Sequence, residues 1–399
     1  MVRTMHRILD PPSPDGKPGA NMSEPAASKP RFPDLTLADL VAELVWPGLL
    51  RAGTLALAPS RLLLATGTII LIGLIGSLSR IWSDVSFGTR AGDVLGQSAR
   101  QIGAALGSID LARPWEIDLA ALWAGIASLA FGTPGQLLTD FPVSTFVLGI
   151  PMIVVALVGW CAIARSAAWE FGIHASEGWT TCLTRSIQRA PALVAVVLGP
   201  PVVVGLIALG MGALGWVLLG LPAVNVVGAV LWGLTLFVAV VTVLLTAAWA
   251  AGSPMLAPAV ACEGPDAFDA IQRAMAYVIG KPLRYLVYVG LLAAVGALLT
   301  TLLALVLRGG DELATRATAM FLAEEHAAIV LPHGSGAPEL EGTAAAAGRI
   351  VAFWRSMLTL ALGSFVLSYF ASSSAVLYLV MRRLNDGQDV GDLGSEIDA

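Results

Sequence analysis

Long runs without a single charge alternate along this chain with short stretches that hold most of its ionisable residues. A helix needs about 20 mostly apolar residues to cross the roughly 30 Å of hydrocarbon in a bilayer. Six segments meet that need: 62–79, 144–164, 191–219, 223–250, 285–307 and 356–381. No Asp, Glu, Lys, Arg or His occurs from Ala190 through Cys262, which leaves room for two spans and a turn. The turn falls on "GLPAVN", where Gly220 and Pro222 end one helix and Asn225 starts the next. Pro200 and Pro201 lie inside the third span, remove hydrogen bonds to the preceding turn and predict a kink. Residues 117–131 are apolar apart from Asp118 but short for a span, so they read as a re-entrant piece or a helix packed on the bundle. The pattern predicts an all-α fold, a polytopic transmembrane helix bundle of about six spans with short interfacial amphipathic helices.

The stretch "CEGPDAFDAIQRAMAYVIGKPLRYLVY" (262–288) breaks this greasy pattern. Asp266 is placed to cap a helix N-terminus, with Asp269 three residues on as in a capping box. Gly280, Lys281 and Pro282 form a stop signal. Between them Phe268, Ile271, Met275 and Val278 share one face, while Asp269, Gln272 and Arg273 share the other. Asp269 and Arg273 are spaced as an i,i+4 pair. A helix of about 13 residues, roughly 20 Å long, is too short to cross and is expected to lie in the membrane interface. Tyr277, Tyr285 and Tyr288, with Lys281 and Arg284, suit the headgroup layer at the start of span five. A fainter copy stands at 176–191: "EG" recurs at Glu177-Gly178 and Glu263-Gly264, and "IQRA" at 187–190 and 271–274, although the distance between the tags differs. Both copies fall between an even-numbered and an odd-numbered span, as related hairpins would.

Charge sets the expected orientation. Arg51 and Arg61, Arg165, Arg185 and Arg189, Arg273, Lys281 and Arg284, and the "MRRL" after span six all fall on one side if the six spans alternate. Lys and Arg near span ends mark the cytoplasmic side, so both termini are expected to be cytoplasmic in a bacterial inner membrane. The domain reading follows: a disordered tail at 1–33, a juxtamembrane amphipathic segment at 34–60, a six-span domain at 61–383 and a second tail at 384–399. Two extracytoplasmic loops, 80–143 and 308–350, carry amphipathic helical patterns. Val94, Leu95, Ile102, Leu106 and Ile109 form the apolar face of the first; Leu313, Ala317, Met320, Phe321 and Ala328 form that of the second. The Pro- and Ser-rich tail leaves Met1 or Met22 open as the start.

Composition supports a membrane class. The chain of 399 residues is 56% hydrophobic and 13% charged, with a mean hydropathy of +0.78. A formal net charge of -5 without a basic stripe argues against a nucleic-acid partner. Cys161, Cys182 and Cys262 show no metal-ligand spacing and fall at the cytoplasmic side, where thiols stay reduced.

The segment "SPMLAPAVACEGPDAFDAIQRAMAYVIGKPLRYLVYVGLL" resembles a recurrent loop of uncharacterised bacterial multi-pass proteins related to the membrane domain found beside glycerophosphodiester phosphodiesterases. The resemblance rests on Pro254, Pro258, Glu263, Ala270, Ile271, Arg273, Lys281 and Arg284. It implies a membrane architecture and no chemistry, because no phosphodiesterase catalytic domain is present.

Catalytic signatures are weak throughout. His326 and His333 near Glu324 and Glu325, and His174 near Glu170 and Glu177, lack a recognised metal spacing. Ser368, Ser372, Ser373 and Ser374 have no neighbouring base and read as small residues that allow close helix contact, as do Gly290, Ala293, Ala294 and Ala297. The predicted spans contain no charge, unlike those of proton- or ion-coupled carriers. The expectation is a non-enzymatic membrane scaffold or accessory subunit without a cofactor. Its partners are expected to be the lipid bilayer and either itself or another membrane protein. The alternative is a transport permease or channel-like component.

Overall fold

The computed structural model describes residues 46–107, 118–221, 224–263, 267–331 and 341–388. The described residues all belong to one compact unit. The expected tail at 1–33, the cap at Asp266, Ile109, Pro222, His333 and the chain from 389 onward lie outside the described residues.

The protein is all-α, with no strand among the described residues. Its elements are α1 Trp46–Ala56, α2 Pro59–Ile81, α3 Phe87–Gly107, α4 Leu119–Ala127, α5 Thr133–Asp140 and α6 Pro142–Ile173. Then follow α7 Trp179–Gln188, α8 Ala190–Gly220, α9 Asn225–Glu263, α10 Ala267–Gly280, α11 Pro282–Ala319, α12 Glu324–Ala327 and α13 Gly342–Asp386. Among the described residues, six of these are long and apolar enough to cross a membrane: α2, α6, α8, α9, α11 and α13. The protein is thus a multi-pass membrane protein.

All six run past the sequence-predicted limits, and three do so by a wide margin. With 39, 38 and 45 residues, α9, α11 and α13 are about 58, 57 and 68 Å long, against roughly 30 Å of hydrocarbon. The first nine residues of the surface helix expected over 311–331 are the continuation of α11, which runs through Gly309 and Gly310 to Ala319. No proline interrupts it there, and the Glu312–Arg316 pair supports the extension. Of its expected apolar face, Met320 and Phe321 are exposed, Phe321 by 92%. Helix α13 begins early because the run "GTAAAAG" is rich in Ala, the best helix former.

Prolines do not end these helices. Pro200 and Pro201 lie inside an unbroken α8, and Pro254 and Pro258 inside an unbroken α9. Each proline removes the N–H that would reach the carbonyl four residues back. The Val197 carbonyl, orphaned by Pro201, accepts from Trp249 Nε1 of α9 at 3.3 Å. The Ala250 carbonyl, orphaned by Pro254, accepts from Ser253 Oγ at 2.9 Å. Such replacement partners allow proline within a spanning helix.

Burial is uneven along the bundle. Call the end that carries α7 and α10 proximal. The buried residues of α8 stop at Val204, those of α11 at Gly296, and those of α13 begin only at Ser364. In α9 they cluster over 252–262. The six helices therefore pack tightly in their proximal halves. Helix α1 joins this core: Leu49, Ala52, Leu55 and Ala56 are buried, and the Ala56 carbonyl accepts from Ser368 Oγ at 2.7 Å. The segment read as juxtamembrane thus contributes a helix inside the bundle.

At the distal end α3 packs against both α2 and α4. A Cβ on Gly76 would lie 2.6 Å from the Gly88 Cα, and one on Gly125 would lie 2.7 Å from Ile102 Cγ1. Only glycine permits both approaches. Asp118 caps α4 by accepting from the Ala121 N–H at 2.9 Å. Residues 118–131 thus contain a short helix packed on α3.

Candidate functional site: a buried charge knot

The proximal ends are tied by ionisable side chains withdrawn from solvent. Arg61, on the first turn of α2, is 1% exposed. Its Nε donates to Ser166 Oγ at 3.2 Å, its Nη2 to the Ser166 carbonyl at 3.3 Å, and the guanidinium also bonds the Leu55 carbonyl and Glu170. Arg165, on α6 and equally buried, donates from Nε to Glu177 Oε2 at 2.7 Å and from Nη1 to the Ala261 carbonyl at 2.9 Å. Its guanidinium carbon sits 4.0 Å from the centre of the Trp169 ring, a cation–π contact.

Glu263, at the C-terminus of α9, is the most buried of these carboxylates, with its side chain 5% exposed. It accepts from Arg273 of α10 and from the Tyr378 hydroxyl of α13. Arg382 Nε lies 3.2 Å from Glu263 Oε1 and donates to Gln388 Oε1 at 2.6 Å. Arg382 Nη1 and Ser372 Oγ are buried without a partner among the described residues. One carboxylate thus joins three helices. The negative end of α9 is answered as well: Arg189 donates to the Val260 carbonyl at 2.7 Å, next to Arg165 on the Ala261 carbonyl.

The two sequence copies meet in this knot. Glu177 takes Arg165 and, at 3.5 Å, Arg185 of α7; Glu263 takes Arg382 and Arg273 of α10. Each carboxylate therefore has one arginine from the short helix that follows it and one from a spanning helix. The arginines of the two "IQRA" tags differ in task, because Arg189 binds carbonyls where Arg273 binds a carboxylate.

The residues singled out on α10 divide. Arg273 bonds Glu263 and also Asp269 Oδ2 at 3.0 Å. Tyr277 is buried and donates to Asp386; burial first, and then that carboxylate, push its phenol pKa up. Lys281 donates to the Leu384 carbonyl. Ile271 packs on the core, and the Met275 sulfur would lie 3.4 Å from a Cβ on Gly252. Arg284 is exposed, as is Phe268, by 77%. The face that meets the bundle centres on the buried Ala270, Ala274 and Tyr277, with Ile271 and Val278 of the expected stripe packed beside them and Phe268 turned outward. Alanine lets α10 lie close against α9.

The thiols sit in the same region. Cys161, Cys182 and Cys262 are free and buried. Cys182 Sγ donates to Glu177 Oε2 at 3.5 Å. Burial, and then the Glu177 charge, raise its pKa from 9.0 to about 12. A thiol so placed is a poor nucleophile, because the thiolate is the reactive form. No cluster of three His, Cys, Asp or Glu side chains suited to a metal occurs among the described residues. The knot can fasten helices, and its members fill most of one another's hydrogen-bonding capacity, Arg382 Nη1 excepted. No family profile, curated protein or solved structure matches the chain.

Two measurements test the knot. Glu263→Gln leaves Arg273 and Arg382 without their shared charge and is expected to cost about 3–5 kcal/mol, whereas Asp269→Asn, at a half-exposed i,i+4 pair, costs less than about 0.5 kcal/mol. Denaturant unfolding in detergent micelles compares them; equal losses would show that Glu263 fastens nothing. For Cys182, a pKa raised from 9.0 to about 12 leaves at pH 8 about a thousandth of the thiolate of an ordinary cysteine. The raised pKa stabilises the fold fully below pH 9 and is lost as pH climbs from 9 toward 12. Alkylation of Cys182 followed by mass spectrometry is expected to stay far slower at pH 8 than in the unfolded chain; a matching rate would refute the assignment.

Proposed function

We propose that the protein is a non-enzymatic scaffold or accessory subunit of the bacterial inner membrane, with both termini cytoplasmic. The observation that carries this reading is the contrast between its two ends. The proximal halves are locked by the charge knot, while the distal half of the α8–α9 hairpin exposes Trp216, Val230, Trp232 and Phe237. Apolar side chains turned outward in a membrane are free to pack against lipid or another spanning helix. Further support comes from the cavities along the spanning helices, which are lined mainly by apolar side chains. A permease reading calls for a polar path toward the middle of the bundle. The cytoplasmic assignment of the proximal end follows from its basic residues, Arg51, Arg165, Arg189, Arg273 and Lys281 among them.

The hairpin is tested with a photo-crosslinking amino acid at Trp216 or Trp232 in native membranes. The expected product joins the protein, in fixed stoichiometry, to a second copy or to another integral membrane protein. Adducts with lipid alone, or a stoichiometric ATP-hydrolysing subunit, would overturn the scaffold reading. For orientation, a cysteine at Gln272 on the exposed side of α10 is expected to resist a membrane-impermeant thiol reagent added outside intact cells and to react once the cells are opened. Labelling from outside would invert the topology.

A further inference from the structure

We propose that the seam between α11 and α13 is a binding site for one glycerophospholipid with a zwitterionic phosphoethanolamine-type head. The seam opens at the distal end in a cavity of about 620 Å³ that has both polar and apolar walls. Asp311, Thr315 and Arg355 stand on its polar side; Val306, Leu307 and Leu358 stand on its apolar side. A second cavity, of about 500 Å³, follows at Thr359, Leu362 and Val366. It shares Thr300, Val366 and Phe370 with a third, of about 310 Å³, nearer the core. The furrow is therefore polar at one end and apolar beyond it.

Its polar end stands where a headgroup would stand. The uncharged run of α11 ends at Leu307, before Arg308, and that of α13 begins at Ser356, after Arg355. Phe353 and Trp354, both exposed, mark the same level, as aromatic side chains do at a membrane surface. From Leu358 to Phe370 the helix rises about 18 Å, against about 15 Å for the hydrocarbon of one leaflet. An acyl chain of ordinary length fits that reach.

The charges select the head. Arg355 donates from Nε to Asp311 Oδ1 at 2.9 Å, and from Nη2 to Thr315 Oγ1 and the Val330 carbonyl, both at 2.6 Å. Its Nη1 has no protein partner among the described residues and remains a donor for a phosphate oxygen. Asp311 keeps part of its surface exposed, and a second carboxylate oxygen can accept from an ammonium. A cation held beside an anion complements a phosphate held beside an amine, and an anionic head would meet Asp311 as a like charge.

The test reconstitutes the full chain in nanodiscs of equal parts phosphatidylethanolamine and phosphatidylglycerol. The protein is then re-extracted in dodecyl maltoside, and the lipids it retains are counted by native mass spectrometry. Preferential retention of phosphatidylethanolamine is expected. Arg355→Gln should lower it about tenfold, the worth of one charge-assisted hydrogen bond. Thr359→Trp, from an exposed position, should block the furrow with its charges intact. Asp311→Asn should abolish the preference between the two heads while lipid is still held. Equal retention of both lipids by the native chain, or variants indistinguishable from it, would mean annular lipid only and would overturn the proposal. Circular dichroism confirms that each variant remains helical.

Discussion

A carboxylate or guanidinium withdrawn from water costs several kcal/mol unless its hydrogen-bonding groups meet partners. That constraint organises the proximal half of this protein. Glu263 is 5% exposed and takes partners from α10 and α13; Arg61 is 1% exposed and reaches α6 and the end of α1. Each pairing is useful only when both helices are in place. The charges therefore specify which helix ends lie together, something that apolar packing among Leu, Val and Ala side chains does with far less discrimination. Apolar matching still supplies the bulk of the core, with Met255, Leu256, Tyr378 and Leu379 buried around the knot.

The same logic accounts for the irregular helices. In hydrocarbon a free carbonyl finds no water, so each proline inside a span calls for a replacement donor. Trp249 serves Val197 across the α8–α9 pair, and Ser253 serves Ala250 within α9. Glycines at Gly76 and Gly125 bring backbones together where α3 packs on α2 and on α4. Particular polar contacts thus decide which helices pair, within an otherwise interchangeable apolar surface. The distal halves bury fewer residues and turn apolar side chains such as Trp216, Val230 and Phe237 outward.

Much of the architecture was legible in the chain itself. The uncharged runs announced the six spans, and the Gly280-Lys281-Pro282 stop marked the end of α10, because both signals are local. Helix lengths were less legible. The criterion of an uncharged run ended span five at Leu307, but backbone hydrogen bonding continues through Arg308 to Ala319, since a helix outside hydrocarbon tolerates charge. On α10, Ile271 and Val278 pack on the core as their spacing suggested, but the deepest contacts are Ala270 and Ala274, whose small side chains carry little hydrophobic signal beside the exposed Phe268. Helix α1 was hidden because eleven residues containing Arg51 do not resemble a buried helix until the surrounding bundle exists.

By itself the sequence determined the all-α class, the number of long apolar helices and the places where charge interrupts them, because a bilayer reads hydropathy over one continuous segment. Only the tertiary structure decided that Glu177 and Glu263 are each held by two arginines, and that Arg355 and Asp311 meet across a seam. Residues 263 and 382, or 311 and 355, are remote along the chain. Their pairing follows from how neighbouring helices align in space, parallel for α9 and α13 and antiparallel for α11 and α13, and no local pattern records that alignment.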